Sequence, residues 1–206
     1  LKIVRLACEL GITKVRITGG EPFARKGILG FLEQLCGMDA LKDISVTTNG
    51  ALLTPEKIDR LADMGIKRLN FSLDTLDPET FRQITGRDKF KAVWQAIMAA
   101  HDAGMSPIKI NTVLLKGIND STIKDMTALI FKYPFHVRFI EYMPMGSESF
   151  NPDDYILTAQ VKEIIASTLG PLVPLQSGIH DGPAKKYTIQ DAKGVVGFIT
   201  PVSSHF

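Results

Sequence analysis

The chain has 206 residues, 45% of them hydrophobic and 22% charged, which suits a soluble globular protein with one substantial core, or one domain plus a small appendage. A formal net charge of +2 argues against a general binder of nucleic acid or of acidic membrane surfaces. No apolar run approaches the roughly 20 residues that cross a bilayer, and no signal-peptide pattern is present.

In chain order, Ile3, Leu6, Ala7 and Leu10 form a helical stripe that stops at Gly11. Val15 to Thr18 alternates as a strand and runs into Gly19-Gly20-Glu21-Pro22. Ile28, Leu29, Leu32, Leu35 and Cys36 recur at helical spacing, and Asp43 to Thr48 alternates as a strand turned by Asn49-Gly50. Thr54-Pro55 reads as an N-cap with proline at the first helical position, and Gly65 as the stop. A strand over Arg68 to Leu73 follows. Asp77-Pro78 opens a helical stretch, and a long helix through Phe90, Val93, Trp94, Ile97 and Ala100 closes at Gly104. A strand over Ile108 to Leu114, a helix through Ile123, Met126 and Ile130, and a strand over Val137 to Tyr142 complete the series.

The rhythm changes after Met143. A polar, turn-rich stretch leads to a helix from Thr158 to about Leu169, then to strands Lys185 to Gln190 and Val195 to Thr200, joined at Asp191-Ala192-Lys193-Gly194 as a hairpin. Two cysteines, Cys8 and Cys36, make neither a disulfide framework nor, by themselves, a metal site. They read as buried, reduced thiols of a cytoplasmic protein.

Strands alternating with helices predict a parallel sheet with right-handed crossovers. Such strands should be apolar on both faces when helices cover both. These have one apolar face and one polar face, the latter carrying Arg16/Thr18, Ser45/Thr47, Asn70/Ser72, Lys109/Asn111 and Arg138. A barrel accommodates that pattern, because helices cover the outside and the polar face lines a lumen that holds ligand. The expected fold is α/β: an incomplete (β/α)6 TIM-like barrel over residues 1–145, with a C-terminal helix and β-hairpin extension over 146–206. Arg16, Lys109 and Arg138 would share a cavity for an anionic ligand, phosphates first, with Thr18, Thr47 and Asn70 adding hydrogen bonds. The blander alternative pairs these cations with Glu21, Asp74 and Glu141 in a structural network. Met143 and Met145 read as core filler, as does Trp94; His101 and His180 read as satisfied or solvated. No nucleophile triad or metal-ligand cluster is legible from spacing.

Arg16-Ile17-Thr18-Gly19-Gly20-Glu21-Pro22, Thr47-Thr48-Asn49-Gly50 and Asn70 to Leu76 together resemble the radical S-adenosylmethionine superfamily. Lys109 to Val113, Arg138 to Pro144, Gly182-Pro183-Ala184 and Pro201 to Phe206 extend the resemblance to its GTP 3′,8-cyclase family of molybdenum cofactor biosynthesis. The resemblance implies a radical SAM-type barrel and conversion of GTP to 3′,8-cyclo-7,8-dihydro-GTP. It implies S-adenosylmethionine and two [4Fe-4S] clusters as cofactors. Cyclic pyranopterin monophosphate synthase would be the pathway partner; a homodimer is allowed, and neither nucleic acid nor membrane is a partner.

Carried over by residue, Arg16, Thr47 and Lys109 would hold GTP, with Thr18 and Arg138 added. Gly20, flanked by Gly19 and Glu21, would hold S-adenosylmethionine with Ser72, and Met143 would lie near its adenine. The departure is that both cysteine sets of the family are absent, and Cys8 and Cys36 do not replace them. The chain therefore reads as a middle fragment, inactive in radical formation by itself, with an open strand edge prone to aggregation. The alternatives are a non-catalytic GTP-binding barrel, a radical enzyme with another substrate, and an aldolase-like barrel using Lys109 as a Schiff-base amine.

Overall fold

The computed structural model describes residues 1–143, 155–176 and 182–200. The chain forms two compact units: Leu1–Ser72 with Lys89–Ile108, and Leu73–Asp88 with Lys109–Phe206. Met145, His180, the stretch 146–154 and the terminal run 201–206 lie outside the described residues.

The first unit carries α1 (Lys2–Glu9), β1 (Lys14–Ile17), α2 (Ile28–Cys36), β2 (Asp43–Thr48), α3 (Pro55–Asp63), β3 (Arg68–Ser72) and, after an excursion into the second unit, the long helix Phe90–Asp102. Its strands pair in parallel, β1 on β2 and β2 on β3, with Ile17 opposite Val46 and Val46 opposite Leu69. That register puts the apolar residues of all three strands on one face. Val46, Leu69 and Phe71 are buried there, as are Leu32 and Leu35 of α2, Ile58 and Leu61 of α3, and Val93, Ile97 and Ala100 of the long helix. The apolar stripe of α1 behaves otherwise: Ile3, Leu6 and Leu10 are exposed. Trp94 is half-buried rather than fully enclosed.

Local chemistry accounts for the turns. Glycine is required at position 50, because its φ is 75° and an added Cβ would stand 3.0 Å from the Phe71 ring. Thr54 occupies the cap position of α3 but makes no capping bond with its side chain. The hydroxyl bonds Glu56 instead and draws that exposed carboxyl below its usual range.

The second unit carries α4 (Pro78–Thr85), β4 (Lys109–Leu114), α6 (Ile123–Lys132), β5 (His136–Glu141), α7 (Thr158–Leu169), β6 (Val173–Pro174), β7 (Lys185–Thr188) and β8 (Val195–Ile199), the long helix of the first unit being α5. Its strands run in the order β4-β5-β8-β7-β6. β4, β5 and β8 are parallel, while β7 pairs antiparallel with β8 and with β6. The hairpin expected at Asp191 to Gly194 is present; its turn holds Asp191 at φ 63°. β6, only two residues long, had no alternation to announce it.

Ile110, Val137, Phe139, Val196 and Phe198 are buried, with Phe139 and Phe198 stacked at 6.2 Å. Thr158 does not cap α7 with its hydroxyl. Gln160 Oε1 accepts from the Leu157 N–H at 3.0 Å, and Glu141 Oε1 accepts from the Thr158 N–H at 2.6 Å. A negative charge at a helix start is favourable there.

Candidate functional site

In the first unit the parallel register sets Arg16 opposite Ser45 and Thr47 opposite Asn70, so that Arg16, Ser45, Thr47 and Asn70 share the sheet face opposite to that of Ile17, Val46 and Leu69. Arg16 and Thr18 are exposed. Together with Arg25, Lys26, Ile28 and Phe31 they line a cavity of about 440 Å³. Arg16, Arg25 and Lys26 form no ion pair among the described residues. The sequence reading did not single out Arg25 and Lys26, whose only signal was adjacency ahead of a helix.

Glu21 is placed by its own hydrogen bonds. Its Oε1 accepts from the Phe23 N–H at 3.0 Å and from the Thr48 hydroxyl at 2.8 Å, while Oε2 accepts from the Asn49 N–H at 2.7 Å. The carboxylate therefore ties the Gly-Gly-Glu-Pro turn to the loop after β2, and it is spent on donors other than a cation. Gly19, at φ 154°, and Gly20 leave the turn bare: an added Cβ at either position meets nothing within 4 Å. Backbone open in this way at a strand end lets a ligand come close. Ser72 is exposed at the end of β3.

In the second unit Lys109 and Asn111 lie two residues apart on β4, and Asn111 is opposite Arg138 on β5. Lys109, Asn111 and Arg138 therefore share one face. Both cations are 5% exposed. Two cations on one sheet face give it a positive potential that suits an anionic ligand. Asn111 adds a third polar group, since its Oδ1 is buried and accepts no hydrogen bond among the described residues. Such an oxygen costs about 1–3 kcal/mol when it stays unsatisfied. Met143, just beyond β5, is 42% exposed rather than packed as core filler.

Asp74 and Glu141 also have hydrogen-bond donors of their own among the described residues. Asp74 Oδ1 accepts from the Val113 N–H at 2.8 Å, and the Asn119 amide beside it donates to the carbonyls of Asp74 and Val113 at 2.8 and 2.9 Å. Glu141 serves α7, as described above. Burial pushes the Asp74 carboxyl above the usual carboxylate range, opposed by the Val113 hydrogen bond. A raised folded-state value means that the folded chain holds this proton more tightly than the unfolded chain does. The stabilisation is present below the ordinary carboxylate range and is lost as pH rises through the folded value. Asp74→Asn keeps the acceptor for Val113 and removes the charge. It should raise the melting temperature at pH 7, with the gain closing towards about pH 4; thermal melts at both pH values check this, and a lower melting temperature at pH 7 would contradict it.

Residues 1–130 match the radical SAM superfamily, and residues 135–206 match the Molybdenum Cofactor Synthesis C family. The chain belongs to the radical SAM superfamily. A "GTP 3′,8-cyclase" of Pelotomaculum thermopropionicum is 43% identical over 205 residues, covering 99% of this chain and 63% of its own length. One from Petrotoga mobilis is 44% identical over 207 residues, covering 100% and 63%. The chain thus spans about 63% of the length of these curated relatives.

Among solved structures, Streptococcus suis SuiB superposes with a TM-score of 0.68 at 19% identity over 97% of this chain and 42% of that one. A radical SAM methyltransferase from Sphaerobacter thermophilus superposes at 0.60 and 20% identity, covering 81% and 52%. The expected α/β fold of radical SAM type is borne out.

Of the superfamily's cofactors, S-adenosylmethionine suits what the first unit presents: an unobstructed Gly19-Gly20 backbone and an exposed Ser72. Iron–sulfur clusters do not suit it. The chain has two cysteines, on separate helices, and no group of three His, Cys, Asp or Glu able to hold a metal occurs among the described residues. No described helix is long and apolar enough to cross a membrane.

Proposed function

We propose that this chain is the GTP- and S-adenosylmethionine-binding part of a GTP 3′,8-cyclase of molybdenum cofactor biosynthesis. The observation that carries the reading is the pair of enclosed cations, Lys109 and Arg138, on one face of β4 and β5 with Asn111 between them. Guanidinium and ammonium groups held in this way suit a polyphosphate, since the guanidinium forks onto two oxygens and the ammonium acts as a point charge. The naming of relatives at 43% and 44% identity as cyclases makes GTP the polyphosphate to test first.

In this reading Lys109 and Arg138 bind phosphate oxygens of GTP; Arg16, Thr18 and Thr47 are assigned to GTP by the family resemblance alone. Gly20, with Gly19 and Glu21 around it, holds S-adenosylmethionine together with Ser72; Met143 is assigned to its adenine by the family resemblance alone. Glu21 acts at one remove by fixing the loop on which Asn49 and Gly50 sit. S-adenosylmethionine supplies a carbon-centred radical in this superfamily; the chain's own residues bind, orient and shield the substrate. Residues 1–145 form the barrel part and residues 146–206 the extension in this scheme. Cyclic pyranopterin monophosphate synthase follows in the pathway, and the protein works in the cytoplasm; a homodimer is compatible with this reading.

The test is anaerobic turnover by the protein as its gene encodes it, reconstituted with iron and sulfide and supplied with S-adenosylmethionine and GTP. Formation of 3′,8-cyclo-7,8-dihydro-GTP is the expected result. Cleavage of S-adenosylmethionine with GTP left intact would point to another substrate and overturn the reading.

A further inference from the structure

A glycine inside a strand weakens it, having no side chain to pack and more backbone freedom to lose. Gly197 sits in the middle of β8, in a parallel pair with β5 on one side and an antiparallel pair with β7 on the other, so its place in the sheet gives no reason for a glycine. Its φ is not positive, which removes the usual conformational reason. What is left is space. An added Cβ would stand 3.2 Å from Cγ of Arg138 and 3.3 Å from Cβ of Ala184, inside the roughly 3.5–4.0 Å at which carbon atoms make good contact.

The register shows what the space is for. Asn111 on β4, Arg138 on β5 and Gly197 on β8 are opposite one another in a single row. The Arg138 stem therefore passes over the Gly197 backbone, and the arginine, 5% exposed, has its course across the sheet set from below. Ala184, buried and itself small, borders the same space. A side chain at position 197 would lift or turn the arginine by a few tenths of an ångström, in a row whose neighbouring polar atom is Asn111 Oδ1.

We propose that Gly197 is a positioning residue for the substrate: by leaving the floor under Arg138 open, it sets the angle at which the guanidinium meets the nucleotide's phosphates. The inference rests on the proposed binding of a nucleoside triphosphate by Arg138 and adds the residue that aims that contact. It concerns geometry rather than stability, because a β-branched residue at this strand position satisfies sheet propensity.

The test is calorimetric titration of GTP and GMP into the protein as its gene encodes it, comparing wild type with Gly197→Ala, Gly197→Val, Arg138→Ala and Arg138→Ala/Gly197→Val. Thermal melts confirm that each variant folds. Loss of part or all of one hydrogen bond between the guanidinium and a phosphate should weaken GTP about tenfold for Gly197→Val and about threefold for Gly197→Ala, with GMP affected less. In the Arg138→Ala background, Gly197→Val should change GTP affinity no further, because its effect runs through the arginine.

Loss of GTP affinity that persists undiminished in that background would overturn the inference, showing a general effect on the sheet. So would Gly197 variants that bind GTP normally while Arg138→Ala does not; the proposed substrate reading would then stand without this addition. Arg138→Ala binding GTP as wild type does would remove the phosphate contact itself, and the inference with it. Should the valine variant not fold, the alanine variant and its pairing with Arg138→Ala decide the matter.

Discussion

Replacing Gly194 by alanine should destabilise the second unit by about 3 kcal/mol, at the upper end of what overpacking a close contact costs. Three hydrogen bonds lock the segment: the N–H groups of Lys193 and Gly194 both donate to the Ile130 carbonyl at 2.9 Å, and the Val195 N–H donates to the Phe135 carbonyl at 2.9 Å. An added Cβ would overlap the Phe135 carbonyl oxygen and stand 2.9 Å from both Phe135 N and the Tyr133 carbonyl. These are backbone atoms and cannot swing aside as the end of a side chain can. Relief requires moving β8 off β5, and with it the row of Asn111, Arg138 and Gly197. Thermal melting checks this, with a drop above roughly 10 °C expected for a unit of this size. A change of a degree or two would show that the close approach is not as described.

Replacing Lys109 by methionine should weaken GTP binding by about 10- to 100-fold with little loss of fold. That range corresponds to one hydrogen bond to a charged group, about 1.5–3 kcal/mol. Methionine fills most of the space of the lysine stem and is at home in a buried position, so the substitution isolates the ammonium. GMP, with fewer phosphate oxygens to place, should lose less. Titration of both nucleotides against wild type and variant is the check. Equal loss for GTP and GMP would place Lys109 away from the outer phosphates, and unchanged affinity for both would remove it from the site.

Much of this arrangement was legible in the chain because it follows from side-chain alternation. The polar faces Arg16/Thr18, Ser45/Thr47, Asn70/Ser72, Lys109/Asn111 and Arg138 were visible as every second residue, and the observed registers place those of each unit on a common face. Local periodicity could not show what the acids do. Glu21 looked like a partner for a cation, yet it is held by Phe23, Thr48 and Asn49, the last two 27 and 28 residues further along the chain. Asn119 belongs to no periodic stretch, yet it is buried and serves Asp74, Val113 and Leu115. Gly194 read as a turn glycine; the Phe135 carbonyl that demands it lies far away in the chain. Gly197 read as a residue of an alternating strand, and only the register with Arg138 gives it a purpose. The α1 stripe errs in the other direction, because an amphipathic pattern names a face to bury without naming what buries it.

The central claim is that Lys109 and Arg138 are enclosed in order to hold the phosphates of a guanine nucleotide. Calorimetric titration of GTP, GMP and guanosine, in matched buffer and salt, into the protein as its gene encodes it tests this most directly. Affinity should fall in that order, by about tenfold or more from GTP to GMP, and the GTP value should weaken as salt screens the phosphate contacts. Equal affinity for GTP and guanosine, or no binding of either, would contradict the account.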